Sequence, residues 1–179
     1  SSNTTGTNNT ASGKSTLYAN TTGTCNTAYG AYALLSNTTA SENTASGYGA
    51  LGNNTTGDYN AAFGGRALCS NTTGIRNVAF GQLALYPNTT GACNSGFGHN
   101  VMYANTTGAK NTASGYRALC SNTTGTHNTA LGLKALGGNT TGQTNTAIGA
   151  HAGDTTTTGS DNVFLGYAAR GSGATSQNQ

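Results

Sequence analysis

Asn recurs at residues 9, 26, 43, 60, 77, 94, 111, 128, 145 and 162, and a Gly stands four residues after each of them. A 17-residue spacing kept through ten copies, with no insertion or deletion, constrains the fold more than any other feature of this chain. It is the signature of a repeat architecture in which each unit contacts only its neighbours. A second Asn column runs from Asn3 to Asn139 and breaks only at Thr156, and the Gly three residues after it breaks only at Ala40. The array occupies residues 3–172, with Ser1 and Ser2 as an N-terminal extension and residues 173–179 as a C-terminal tail. No linker, charge run or change of composition marks a second domain.

Each repeat reads as short strand and not as helix. Gly and Asn at fixed offsets oppose helix, while segments such as Thr146–Gly149 and Val78–Gly81 alternate with period two. The same Gly and Asn are expected to supply the positive φ values that corners need. The predicted fold is therefore all-β: a parallel β-solenoid, or β-roll, of ten 17-residue coils. At a stacking interval of about 4.8 Å, ten coils make a rod roughly 48 Å long.

Equivalent positions can be compared within this one chain. The residue two after the inner Asn is small in nine coils, from Ala11 to Ala147, and becomes Phe164 in the last. It is expected to face a narrow interior. Leu17, Leu34, Leu51, Leu68, Leu85, Met102, Leu119 and Leu136 form the one regular column of large apolar residues, the expected core ladder. The residue before the second Gly points the opposite way from the Ala by strand alternation. That outward column includes Tyr29, Phe63, Phe80, Phe97, Leu131, Ile148 and Leu165, interrupted by Ser12, Ser46 and Ser114 and flanked by Val78 and Val163.

An outward apolar stripe of this length exceeds what a monomer leaves in water. No repeat has a spare loop to cover it, so a self-assembled oligomer or fibre is expected. The repeat also begins within two residues of the N-terminus, without a polar cap, which favours head-to-tail growth. Composition narrows the partners: charged residues make up 6% of the chain, the formal net charge is +3 and the basic residues are scattered, which gives no footprint for nucleic acid. No run of 18 apolar residues could form a membrane-spanning helix.

The phrases NTAIGAHA (145–152), NTALGLKAL (128–136) and NVFLGYAA (162–169) resemble the N-x-A-[ILV]-G-x-x-A repeats in the head domains of trimeric autotransporter adhesins. These are the YadA-like left-handed parallel β-rolls, with relatives in phage and bacterial surface fibres. The resemblance covers the array, although that family's coil is shorter and its strand more uniformly aliphatic. It implies a left-handed coil, a trimer, and an extracellular or cell-surface module that adheres to a host surface or glycans without catalysis or cofactor. A weaker resemblance, to the β-roll repeats of grass antifreeze proteins, implies an ice-binding or glycan-binding face built on the Thr ladders from Thr4–Thr5 onward.

Asn-Thr-Thr is also an N-glycosylation sequon, repeated along the outer Asn column, and Asn-Asn-Thr forms a further sequon at Asn8 and Asn53. A ladder of stacked amides accounts for the outer column, which leaves Asn8 and Asn53 as candidate glycan sites. Among the cysteines, Cys25 and Cys93 share one repeat position, and Cys69 and Cys120 another. Their separations of four and three coils, about 19 and 14 Å, exceed the roughly 7 Å limit between Cα atoms of a disulfide. The thiols are thus free or bridge between subunits. The spacing has no C-x-x-C, so no structural zinc is expected. The histidines (His99, His127, His151) share no column, and Asp154 and Asp161 offer too few fixed oxygens for a cation, so catalytic and metal sites are not expected.

Overall fold

The structure, a computed structural model, describes residues 2–171; Ser1 and residues 172–179, the predicted tail among them, lie outside the described residues. It contains ten three-residue strands, one per coil, from β1 (Thr10–Ser12) through β4 (Ala61–Phe63), β5 (Val78–Phe80) and β6 (Ser95–Phe97) to β9 (Thr146–Ile148) and β10 (Val163–Leu165). They form one parallel sheet in sequence order. Each strand pairs with the equivalent strand of the next coil, Ala62 with Ala79 and Phe63 with Phe80, so every column in the sequence is a column in space. This is the β-solenoid that the 17-residue spacing predicts.

Regular strand covers little of each coil, and turn backbone carries much of the stacking. Thr21 N–H donates to Thr38 O at 2.9 Å, Leu34 N–H to Ala50 O at 3.0 Å and Tyr32 N–H to Lys14 O at 2.8 Å, and these bonds recur in later coils. Two Asn ladders extend the network inward. In the outer column each side-chain amide bridges two coils: Asn88 Nδ2 donates to Asn71 Oδ1 at 2.8 Å and to Gly91 O at 3.0 Å. In the inner column Asn77 Oδ1 accepts the Asn94 N–H at 3.0 Å, while Asn77 Nδ2 donates to Gly91 O of the next coil at 2.8 Å. Asn20 to Asn139 and Asn26 to Asn162 are buried at their ladder positions. A buried amide is tolerated only when it is hydrogen-bonded, and in this stack each coil supplies the partners of the next.

The core is as narrow as the columns predict. Ala28, Ala45, Ala62, Ala79, Ala113, Ala130 and Ala147 are fully buried or nearly so, as is the column from Leu34 to Leu136. A second small column, Ala33, Ala50, Ala67, Ala84, Val101, Ala118, Ala135 and Ala152, joins them.

The corners meet expectation only in part. The second Gly of the repeat has positive φ in all ten coils, between 111° and 139° from Gly13 to Gly166, but Asn does not, in general, supply the left-handed residues. Three columns do: Asn8 through Asp161 just before the inner Asn, Ser15 through Ala168, and the Leu column itself, with φ between 49° and 53° at Leu17, Leu34, Leu51, Leu68, Leu85, Met102, Leu119 and Leu136. Left-handed backbone is unfavourable for an L residue by about 1–2 kcal/mol, and most unfavourable when the side chain is β-branched. Among the described residues, Thr144 is the single β-branched residue with left-handed backbone. The core column is therefore Leu and Met, not Ile or Val. The Gly of the NTTG phrase serves close approach instead. A Cβ at Gly74 would lie within 3 Å of Gly91 O and of Asn71 Oδ1. Of the two Gly of the repeat, the second, with φ 134° at Gly81, has positive φ as well as a close neighbour, Gly98 O.

The last two coils modify this plan. Gly153 occupies the Leu position, and the Phe164 ring fills the space: a Cβ on Gly153 would lie 2.6 Å from Phe164 Cδ2. Phe164, placed by its column in a narrow interior, is buried because the neighbouring coil gave up its leucine.

Candidate interaction surface

The outward column lies on the solvent face of the sheet. Tyr29, Phe80, Phe97, Leu131, Ile148 and Leu165 are exposed, with Phe80 at 53% and Leu165 at 74%, while Phe63 is half-buried. Ser46 and Ser114, which interrupt the column, are half-buried. Phe63 and Phe80 meet at 5.1 Å between ring centroids, so the apolar groups already contact one another along the rod. Beyond the second Gly lies a further exposed set, Tyr48, Tyr116, Leu133 and Tyr167, that column comparison missed. Its position varies in residue class from coil to coil, so the only signal for it was aromatic character at scattered repeats.

A second surface is the left-handed corner column: Asn8, Cys25, Glu42, Tyr59, Arg76, Cys93, Lys110, His127, Thr144 and Asp161, all exposed. Corner geometry pushes these side chains outward and leaves them free to differ. Arg76 lies over the Tyr59 ring at 5.6 Å. The Thr pairs divide as alternation requires. The first Thr of each pair is half-buried through the central coils and its hydroxyl donates to the next coil, as in Thr72 Oγ1 to Thr89 O at 3.1 Å. The second Thr, from Thr5 to Thr158, is exposed in single file.

The cysteines separate into two environments. Cys25 and Cys93 are exposed, Cys69 and Cys120 are half-buried, and none is paired within the chain. Burial pushes the Cys69 thiol above its ordinary pKa, partly offset by the Arg66 charge. Cys120 borders a cavity of about 260 Å³ together with Arg117, Lys134 and Asp154. A hydrogen bond to Cys120, reinforced by the charge of its thiolate, holds the Arg117 guanidinium above its usual range. Asn8 and Asn53 are exposed, in contrast to the buried outer Asn column, which has no room for a glycan between Asn20 and Asn139.

The histidines stay apart. His99 stacks on Tyr116 at 5.6 Å, and His127 Nδ1 lies 3.2 Å from Thr126 Oγ1. His151 Nδ1 is 3.1 Å from Asp154 Oδ2, with Arg170 on the other carboxylate oxygen at 3.6 Å. Asp154 thus faces cationic or proton-bearing side chains, and Asp161 is exposed in the corner column. Among the described residues no three or more His, Cys, Asp or Glu side chains group as metal ligands would.

No family model, curated protein or solved structure matches this chain. Among the described residues no helix is long and apolar enough to cross a membrane.

Proposed function

We propose that this chain is a non-catalytic structural or adhesive fibre module of the cell exterior, assembled with copies of itself through the outward face of its sheet. The observation that carries the reading is the exposed stripe from Tyr29 to Leu165 on a regular, parallel backbone. Each large apolar side chain taken out of water contributes about 1.5–3 kcal/mol, and seven of them in one line give a strong incentive for lateral packing. The cell-surface setting and an adhesive role toward host surfaces or glycans rest on the likeness of the NTAIG-type phrases to adhesin head repeats. Sedimentation velocity and electron microscopy across a concentration series test the assembly. Rods or oligomers are expected, and Phe63→Ser with Phe80→Ser and Phe97→Ser should raise the dissociation constant at least tenfold. A monodisperse monomer at high concentration overturns the proposal.

The exposed file of second threonines supports a second reading, recognition of ice or of glycans. Its hydroxyls and methyls repeat at the coil interval, and among the described residues no internal hydrogen bond takes up the hydroxyls of Thr22, Thr56 or Thr73. A thermal-hysteresis measurement distinguishes it, since a fibre module without this activity leaves ice growth unchanged.

A further inference from the structure

The corner column is complementary to itself when run in reverse. About Tyr59, Glu42 stands one coil to one side and Arg76 one coil to the other, while Cys25 and Cys93 stand two coils to either side. All five are exposed. We infer that two copies of this chain pack antiparallel about a twofold axis at the Tyr59 coil, locked by two disulfides between Cys25 and the partner's Cys93. This rests on the self-assembly reading and specifies its register.

A dyad perpendicular to the rod and lying in the interface sets each column opposite itself with coil order reversed. Tyr59 then meets the partner's Tyr59, and Glu42 meets the partner's Arg76, already held over its own Tyr59 ring. The outward stripe obeys the same dyad. Phe63 faces its own copy, Tyr29 faces the partner's Phe97, Phe80 faces the partner's Ser46, and Ser12 faces the partner's Ser114. Asp58, beside the dyad, also faces its copy, but its Oδ1 is turned to the Ser41 N–H at 2.7 Å.

Other registers fare worse. Parallel packing in register sets Glu42 against Glu42, Arg76 against Arg76 and Lys110 against Lys110, and like charges in contact oppose association. Parallel packing staggered by four coils does bring one Cys25 to one Cys93. It leaves the other Cys25 and Cys93 unpaired, however, and a third copy, staggered again, would overlap the first in a ten-coil array. Of the registers that pair Cys25 with Cys93, the antiparallel dyad alone uses both thiols of both chains.

The overlap spans coils 1 to 7, about 34 Å at the stacking interval. With the roughly 15 Å width between the corner and the stripe, about 1,000 Å² is buried in total, at the threshold of a specific interface. The covalent links therefore matter. Each forms by thiol–disulfide exchange with a small-molecule disulfide such as oxidised glutathione: one chain's thiolate attacks it and releases one reduced thiol, and the second chain's thiolate displaces the other. Two protein thiols are oxidised, one small disulfide is reduced to two thiols, and both protons leave with them.

The test is to oxidise the full chain with glutathione disulfide, map its cross-linked peptides and count its free thiols. Expected is a covalent dimer with Cys25–Cys93 links and four remaining thiols, those of Cys69 and Cys120 in each copy. Six remaining thiols indicate the parallel stagger, and Cys25–Cys25 with Cys93–Cys93 links indicate the parallel register; either overturns the inference. Glu42→Arg should slow cross-linking several-fold, and adding Arg76→Glu should restore it, whereas rescue by Lys110→Glu instead points to the stagger. Sedimentation of the Cys25→Ser and Cys93→Ser double variant separates the two levels. Association that persists alongside a wrong cross-link map removes only this register, while a monomer under all conditions removes the self-assembly reading with it.

Discussion

The central coils and the last two follow the same plan but handle its breaks differently. In the centre, Leu85 lies in a continuous file of Leu and Met, and every outer Asn finds the next. At the end, Gly153 interrupts the Leu file and Phe164 of the following coil fills the gap, a compensated change. Thr156 interrupts the Asn ladder and, among the described residues, nothing replaces the lost amide, which leaves the buried Asn139 Oδ1 without a hydrogen-bond partner there. Ala40 falls between these cases. Its methyl takes the place of the NTTG Gly, and Asn43 Nδ2 turns to Ser41 O at 3.2 Å, while its neighbours Asn60 and Asn77 donate to the Gly carbonyl of the next coil. A stack of identical units gives each side chain its partner from the adjacent copy, so a substitution is felt one coil away.

The largest effect should come from breaking the core file in the two regions. Leu85→Ala removes a fully buried side chain from a column closed above and below, and should destabilise by about 2–5 kcal/mol. Phe164→Ala should lose a comparable amount, but locally, because in a one-dimensional stack an end coil can open without its neighbours. Hydrogen exchange would show this as lost protection throughout the array for Leu85→Ala and in coils 9 and 10 alone for Phe164→Ala. Adding Gly153→Leu to Phe164→Ala should return most of the protection. The reverse pairing, Gly153→Leu with Phe164 present, should clash.

A smaller effect should follow from repairing the ladder. Thr156→Asn places an amide where Asn139 Oδ1 has an open acceptor, with the Gly159 carbonyl in the position that Gly142 O has for Asn139. Satisfying a buried acceptor stabilises by about 1–3 kcal/mol. A thermal melt in which Thr156→Asn gains nothing would show that the end coil lacks the geometry of the centre.

Much of this contrast was legible in the sequence. Spacing alone placed the coils and defined the Ala column, the Leu column and the outward stripe, because a parallel in-register stack turns sequence columns into spatial ones. What could not be read from residue type was the backbone at the corners. Gly and Asn are the usual left-handed residues, and the second Gly does take positive φ in every coil, yet Asn is used mainly for its amide and the other Gly for its missing Cβ, while three further left-handed columns fall to residues such as Leu, Cys, Tyr and Arg. The signal was present only as an absence: three columns almost without Val, Ile or Thr. The corner column was missed as a surface for the same reason, since its residues share a backbone angle and no chemical class.

The smallest effect tests that corner rule at its one exception. Thr144 holds φ at 56° with a β-branched side chain, while its neighbour His127 holds 58° without one. Replacing either with Gly relieves about 1–2 kcal/mol of left-handed strain. It also gives the unfolded chain more freedom, which offsets about 0.4–1 kcal/mol. For His127→Gly the difference leaves a gain below about 1 kcal/mol, and the melting temperature should rise only slightly. For Thr144→Gly the strain is larger, because a β-branched side chain is least suited to this region, so a gain of about 1 kcal/mol should remain. Both residues are exposed, so lost packing contributes little to either comparison. Equal melting temperatures for the two variants would mean that the stack, and not the corner residue, sets the backbone angle without strain. Avoidance of β-branched strain would then no longer account for the Leu and Met of the core column.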